Sequence, residues 1–141
     1  MLLAAPGCSE DSGAMRNGYY SAASATYNSD GWKSFITLYI YNNKIVTAEY
    51  NARNVSGLPL HWDVLSMRRI KSRTRIHPSR LIREYTQELL NRQNPAQIRR
   101  IPGDDLFYES FTRLAAAAMA QARSGDKGLA EVALKPMEAT P

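Results

Sequence analysis

The segment from Trp32 to Tyr41 reads Trp-Lys-Ser-Phe-Ile-Thr-Leu-Tyr-Ile-Tyr and carries the clearest strand pattern in the chain. Residues two apart point to the same side of a strand, so Ile36, Leu38 and Ile40 share one face. The opposite face carries Phe35, Thr37, Tyr39 and Tyr41. Because both faces hold apolar or aromatic side chains, the pattern predicts a central strand that is covered on both sides.

The flanking segments predict that this strand is the middle of an antiparallel meander. Asn42-Asn43 is typical of a tight hairpin turn, because asparagine tolerates a positive φ. The segment Lys44–Asn51 returns as a strand, and Gly18–Asn28, which alternates loosely, precedes the turn Ser29–Gly31. The segment Leu129–Leu134 is expected to add a last strand.

Three segments predict helices. A short helix is expected from His61 to Ile70, and a longer one begins at Pro78 and ends near Arg92, before Asn94-Pro95. Another longer helix is expected from Leu106 to Arg123. Its apolar residues fall on one stripe that predicts packing against the sheet, namely Phe107, Phe111, Leu114, Ala115, Ala118 and Ala122. The predicted fold class is therefore α+β, an antiparallel β-sheet meander covered by two longer helices and one short helix.

The length of 141 residues predicts one domain, which we place at residues 17–135, with a tether at 1–16 and a tail at 136–141.

The formal net charge is +5, and more than half of the lysines and arginines lie between Arg68 and Arg100. Almost no aromatic residue is interleaved with the basic residues from Arg68 to Arg80, so that segment predicts a solvated basic face and no nucleic-acid site. The chain also lacks the motifs of a nucleophile elbow and of a phosphate-binding loop with lysine, which favours a binding protein or electron carrier over an enzyme.

Cys8 is the single cysteine, so the chain cannot form an internal disulfide, and neither histidine has a cysteine near it for a zinc site.

The small residues before Cys8 resemble the end of a lipoprotein signal peptide, although Pro6 departs from that pattern. The basic and apolar regions of such a signal would lie upstream of Met1. We therefore predict a lipid anchor at Cys8 and an extracytoplasmic, membrane-anchored protein. The alternative is an ordinary N-terminus with a stray cysteine.

The segment Ile101–Phe111 reads Ile-Pro-Gly-Asp-Asp-Leu-Phe-Tyr-Glu-Ser-Phe and joins a basic stretch to the last predicted helix. Pro102 and Gly103 break the chain, and Asp104 or Asp105 can cap the helix. A glycine turn that leads into a helix N-terminus is also suited to bind an anion. A capped helix without a ligand is the simpler interpretation. We call residues 101–105 the hinge.

Several short motifs, taken together, resemble the FMN-binding domain family, in the small lipoprotein branch that includes pheromone-precursor-like lipoproteins. The resemblance spans about Asn17 to Leu134 and rests on the order and spacing of these motifs. They are Asn17-Gly18-Tyr19-Tyr20, Gly31–Thr37, Asn43–Val46, Glu49–Gly57, Trp62-Asp63, Met67-Arg68, Gln93-Asn94-Pro95 and Gly103.

In that family the hinge usually reads Ser-Gly-Ala-Thr, and a flavin transferase joins the threonine hydroxyl to the FMN phosphate. Here Pro102 stands for the serine, Gly103 is kept, Asp104 stands for the alanine and Asp105 for the threonine. The acceptor hydroxyl is absent, and two carboxylates repel a phosphate. The resemblance therefore implies the fold and a flavin-binding ancestry, without covalent attachment.

The resemblance implies two functions of different classes. In the first, the protein binds FMN noncovalently and passes electrons to a redox protein partner in an extracytoplasmic chain. In the second, it has lost flavin and remains a surface lipoprotein that binds a partner or serves a structural role. For the first, the expected cofactor-binding residues are Arg100, Gly103, Asp104 and Asp105 at the hinge, with Tyr50, Asn51, Ser56, Gly57 and Trp62 as walls of the pocket. No catalytic or metal-binding residue is predicted.

Overall fold

A computed structural model describes residues 13–134 of the chain. Cys8 and the predicted tail lie outside these residues. The strands are β1 (Gly18–Ser24), β2 (Trp32–Tyr41), β3 (Lys44–Asn54) and β4 (Ala130–Val132). The helices are α1 (Val64–Thr74), α2 (Pro78–Arg92) and α3 (Tyr108–Ser124), with single 3-10 turns at Leu60–Trp62 and Pro95–Gln97.

The described strands form one sheet in the order β3-β2-β1-β4. Strands β1, β2 and β3 pair antiparallel, which confirms the predicted α+β class and its meander. Strand β4 instead pairs parallel to β1, with Ala22 opposite Ala130. A parallel pair needs a long connection, and the helices between β3 and β4 supply it.

The hairpin between β2 and β3 forms as predicted, and a bulge follows it. Asn42 and Asn43 both have positive φ, 51° and 59°, as a two-residue type I′ turn requires. Ile40 pairs with Ile45, but Tyr39 pairs with Thr47, so Val46 has no partner across the strand. This extra residue shifts the register of β3 for the rest of its length.

The helices cover one face of the sheet. Helix α3 packs on β1 and β2, and α2 packs on β3. The predicted stripe of α3 is buried, with Phe111, Leu114 and Ala118 fully excluded from solvent. Burial of each large apolar side chain stabilises the fold by about 1.5–3 kcal/mol. The core also contains Tyr20, Ala22, Ile36, Leu38, Ile40, Ile45, Tyr50, Leu81, Tyr85 and Leu89.

The prediction that β2 is covered on both sides is wrong for the part of the chain that the structure describes. Ile36, Leu38 and Ile40 are buried, whereas Phe35 and Tyr39 are only half-buried and Tyr41 is exposed. We call the uncovered side the open face. Antiparallel sheets often leave one face to solvent, because hairpin connections place no helix on it.

Several predicted boundaries also shift. Strand β1 ends at Ser24, before the predicted Asn28, and the Ser24 hydroxyl donates to the carbonyl of Thr26, 2.7 Å away. Helix α1 begins only at Val64, because Asp63 caps it by accepting from the Ser66 N–H. The stretch predicted to be extended from Ala96 begins in a 3-10 turn.

Gln93 ties α2 to the outer edge of the sheet. Its side-chain oxygen accepts from the Ile45 N–H at 2.8 Å, and its amide nitrogen donates to the carbonyls of Ile45 and Leu90. Strand β3 is at the edge of the described sheet, so these bonds satisfy backbone groups that no neighbouring strand reaches.

We expect Gln93→Ala to lower the free energy of unfolding by about 1–3 kcal/mol, because buried backbone groups of Ile45 lose their partners. Urea unfolding followed by circular dichroism measures this. The matched control is Gln87→Ala, whose side chain bonds only to Asn91 on the surface of α2 and should change stability by less than about 0.5 kcal/mol. Equal effects of the two substitutions would contradict the proposed role of Gln93.

Candidate functional site

The hinge turns sharply between Ile101 and Asp104. Gly103 has a φ of 92°, which favours glycine, and a Cβ there would lie 3.4 Å from the side chain of Ile76. The Asp104 N–H closes the turn by donating to the Ile101 carbonyl at 3.0 Å. The hinge therefore keeps the glycine for a conformational reason that needs no ligand.

Of the two hinge aspartates, Asp104 is the one that binds the segment leading into α3. Its side chain is buried, with 2% of the residue exposed. One carboxylate oxygen accepts from the N–H groups of Leu106 and Phe107, both at 2.9 Å. The other accepts from the Tyr85 hydroxyl at 2.6 Å. These bonds order the turn before the helix, and α3 begins at Tyr108, with Phe107 as its N-cap, and not at Leu106 as predicted.

Two buried tyrosines surround this carboxylate. The Tyr85 hydroxyl donates to Asp104 and accepts from the Ile101 N–H at 3.1 Å. Burial, and then the hydrogen bond to Asp104, raise the pKa of Tyr85. The Tyr50 hydroxyl donates to the Ser110 hydroxyl at 2.9 Å, and burial raises the pKa of Tyr50 to about 12. Both phenols therefore remain protonated hydrogen-bond donors at neutral pH.

The hinge residues do not fit an FMN phosphate. The N–H groups of Leu106 and Phe107, which follow the hinge, already donate to Asp104. A buried carboxylate at that place would also repel the anion. The exposed Arg100 donates to the backbone carbonyl of Asp104 at 3.0 Å and lies over the Tyr108 ring, and Asp105 is exposed.

The structure separates the predicted cofactor-binding residues into two groups. Arg100, Gly103, Asp104 and Asp105 lie together at the hinge, and the core residue Tyr50 lies near them, against Phe107. The remaining residues do not join this group. Asn51 follows Tyr50 on β3 and therefore points to the opposite face of the sheet. It contacts the ring of His61, beside the 66% exposed Trp62, and Ser56 and Gly57 lie in the exposed turn after β3.

A pocket on the open face was not predicted from the sequence. Its volume is about 390 Å³. Lys33 and Arg53 lie directly opposite each other on β2 and β3. Gly57 is the one predicted site residue in its lining, which consists of Ser21, Ala23, Tyr27, Lys33, Phe35, Thr37, Glu49, Arg53, Asn54, Val55, Gly57 and Leu129. The alternation of Phe35, Thr37 and Tyr39 fits either a covered or a solvent-facing side of β2, so the pattern alone does not predict this pocket.

Among residues 13–134, no group of three or more His, Cys, Asp or Glu side chains could hold a metal ion. No helix in the same range is long and apolar enough to cross a membrane.

The predicted basic face is solvated along α1. Its exposed residues in this helix and at its C-cap are Arg68, Arg69, Lys71, Arg73 and Arg75, and Arg80 of α2 pairs with Glu84 at 2.7 Å. The absence of nucleic-acid binding stays a prediction.

We expect Asp104→Ala to lower the free energy of unfolding by about 2–4 kcal/mol, since three buried donors lose their acceptor. Asp104→Asn should cost less, because the amide oxygen can still accept from Leu106 and Phe107. Asp105→Ala is the matched control and should change stability by less than about 0.5 kcal/mol. A urea titration that ranks Asp105→Ala as the more damaging change would refute the role of Asp104 as the buried acceptor before α3.

We also expect a pH dependence from Tyr50. Its pKa is raised from 10.0 to about 12, so the folded state holds this proton more tightly than the unfolded state. The resulting stability is fully present below pH 10 and is lost between pH 10 and about 12, at up to about 1.4 kcal/mol per pH unit. Tyr50→Phe should flatten the fall measured by urea unfolding, whereas Tyr41→Phe, at an exposed position, should not. Parallel curves for wild type and Tyr50→Phe would contradict this.

Comparison with known proteins gives one sequence relative and two structural neighbours. No protein-family model matches the chain, so membership of the FMN-binding domain family remains a hypothesis. The chain is similar to the 15 kDa lipoprotein of Treponema pallidum (strain Nichols), with 29% identity over 111 residues, or 79% of each chain.

In structure, the chain is similar to the CPE2226 protein of Clostridium perfringens, with a TM-score of 0.79 and 21% identity over 86% of this chain and 99% of that one. It is also similar to a Clostridium thermocellum protein solved by NMR, with a TM-score of 0.55 and 22% identity over 77% of this chain and 92% of that one. At these identities the structural likeness shows the fold alone. The chain thus shares its fold with these two proteins and resembles a lipoprotein in sequence.

Proposed function

We propose that this chain is a membrane-anchored, extracytoplasmic lipoprotein that serves as a binding module and holds no FMN at its hinge. The similarity to a named lipoprotein supports the anchored state. The observation that supports the loss of flavin is the buried Asp104 carboxylate, which occupies the N–H groups of Leu106 and Phe107 beside the hinge and would repel a phosphate there. The protein therefore acts by binding, through a surface other than the hinge.

The entry of the chain into the domain supports an orientation for this module. The Met15 N–H donates to the Asn43 side chain, and the Asn42 N–H donates to the Asn17 side chain, so residues 15–17 lie at the β2–β3 hairpin. The open-face pocket reaches from Glu49, at the middle of β3, to Val55 and Gly57 after its end, so it lies toward the end of β3 that is remote from the hairpin. A lipid at Cys8 would hold the hairpin end toward the membrane and leave the pocket accessible from the far side.

The competing function is noncovalent FMN binding with electron transfer to a redox protein. Its support is the sequence resemblance, which spans most of the chain. Against it stand the occupied N–H groups of the hinge and the separation of Tyr50 from Asn51, Ser56, Gly57 and Trp62 across the sheet. Loss of flavin with retention of the fold accounts for both observations.

The anchor is tested by fatty-acid labelling. Grown with a labelled fatty acid, cells that produce this protein from its own genomic locus should label it, and Cys8→Ser should abolish the label and release the protein from the membrane fraction. Ser9→Ala serves as the control and should remain labelled. Unlabelled, soluble wild-type protein would refute the anchor.

The loss of flavin is tested separately. Native purified protein should be colourless, release no flavin on denaturation, and gain no mass when co-expressed with a flavin transferase, because the acceptor hydroxyl is absent. Asp105→Thr alone should stay unlabelled, since Pro102 and Asp104 still differ from the motif. A family member with an intact motif is the positive control. A wild-type protein that carries the mass of one FMN after denaturation would overturn the proposal.

A further inference from the structure

We propose that the open-face pocket binds a small, soluble organic anion that carries a flat apolar group, with Lys33 and Arg53 binding the anionic group. This proposal states which class of ligand the binding module takes. It rests on the proposed function in one respect, namely that the pocket is accessible on the anchored protein.

The cationic pair is the first argument. Lys33 on β2 and Arg53 on β3 are register partners on the same face, and like charges directly opposite each other destabilise a sheet. Neither side chain has a carboxylate partner within ion-pair distance in the part of the chain that the structure describes. Each lies instead over an aromatic ring at 4.7 Å, Lys33 over Tyr27 and Arg53 over Phe35. A bound anion would remove this repulsion and gain two charge-assisted hydrogen bonds.

The floor of the pocket is the second argument. Phe35 and Ala23 are register partners that give the pocket an apolar surface, and Arg53 lies over the Phe35 ring. The next pair, Ser21 and Thr37, bond to each other through their hydroxyls at 2.8 Å, so this edge is polar and already ordered. Glu49, opposite Thr37, places a negative charge on the same side. The pocket therefore suits one anionic group joined to an apolar body, and disfavours a polyanion.

The wall of the pocket is preformed. The turn after β3 is closed by hydrogen bonds from the Gly57 N–H to the Asn54 carbonyl, from the Leu58 N–H to the Asn54 side chain, and from the Asn54 N–H to the Leu58 carbonyl. Val55 and Gly57 of this turn face Leu129 around the pocket. A volume of about 390 Å³ falls within the range of about 300–1,000 Å³ typical of small-molecule sites.

The location favours a soluble anion over a lipid headgroup. The pocket lies toward the end of β3 that is remote from residues 15–17, where the chain leads toward Cys8. A headgroup in the anchoring membrane would therefore meet the opposite end of the domain.

The test uses two fluorescent probes that differ in one group, 8-anilino-1-naphthalenesulfonate and its uncharged analogue N-phenyl-1-naphthylamine. The full chain should bind the sulfonate, and the double variant Lys33→Gln/Arg53→Gln should weaken its binding about tenfold or more, while affinity for the uncharged probe changes little. Arg113→Gln, an exposed arginine on α3, is the matched control and should bind as wild type does. Lys33→Arg should keep the affinity.

A second readout separates binding from folding. Without probe, the unfolding midpoint of the double variant should be unchanged or raised, because the like-charge pair is gone. The sulfonate should no longer raise the midpoint of this variant.

Three results would overturn the proposal: equal losses of affinity for both probes in the double variant, an equally large loss of sulfonate affinity in Arg113→Gln, or undiminished sulfonate binding in the double variant. Sedimentation of the wild type, but not the double variant, with phosphatidylglycerol vesicles would identify a lipid headgroup and refute the soluble ligand. None of these results depends on fatty-acid labelling or flavin content, so the proposed function can fail or stand by itself.

Discussion

The arrangement of the helices depends on the buried carboxylate of Asp104. Burial of an acid is costly unless hydrogen bonds replace its lost hydration. Here the backbone of Leu106 and Phe107 and the hydroxyl of Tyr85 provide that replacement. One side chain thus joins the segment that leads into α3 to Tyr85 of α2, and both helices pack on the same face of the sheet.

This interaction has a direct consequence for ligand binding. The N–H groups of Leu106 and Phe107 donate to Asp104 and are not free for a second acceptor. In the family that the sequence resembles, alanine is usual at the position of Asp104, and alanine would leave these two groups free. The internal carboxylate and an external anion therefore compete for the same donors.

The two faces of β2 then take different roles. Ile36, Leu38 and Ile40 meet the helices and form the centre of the core. On the other face, Lys33, Phe35 and Thr37 contribute charge, an apolar ring and a hydroxyl to one pocket. Nearby, Tyr19 and Tyr39 pack ring against ring with their centroids 4.7 Å apart. This mixture keeps an uncovered sheet face compatible with water and also gives it the composition of a binding site.

Features that depend on local physics follow from the amino-acid pattern alone. The Asn42-Asn43 turn, the apolar stripe of α3 and the α+β class follow from backbone preference and periodicity, and the structure confirms them. The alternation of a strand also separates Tyr50 from Asn51, whereas the family resemblance implies that they share one site.

Long-range packing sets which hinge aspartate is buried before α3, which face of the sheet is open, and that Lys33 lies opposite Arg53. The pairing of Lys33 with Arg53 depends on the bulge at Val46. A regular hairpin from Asn42-Asn43 would place Lys33 opposite Ala52 and turn Arg53 toward the other face. The extra residue shifts β3 by one position, so the cations come together through a long-range register that no local pattern encodes.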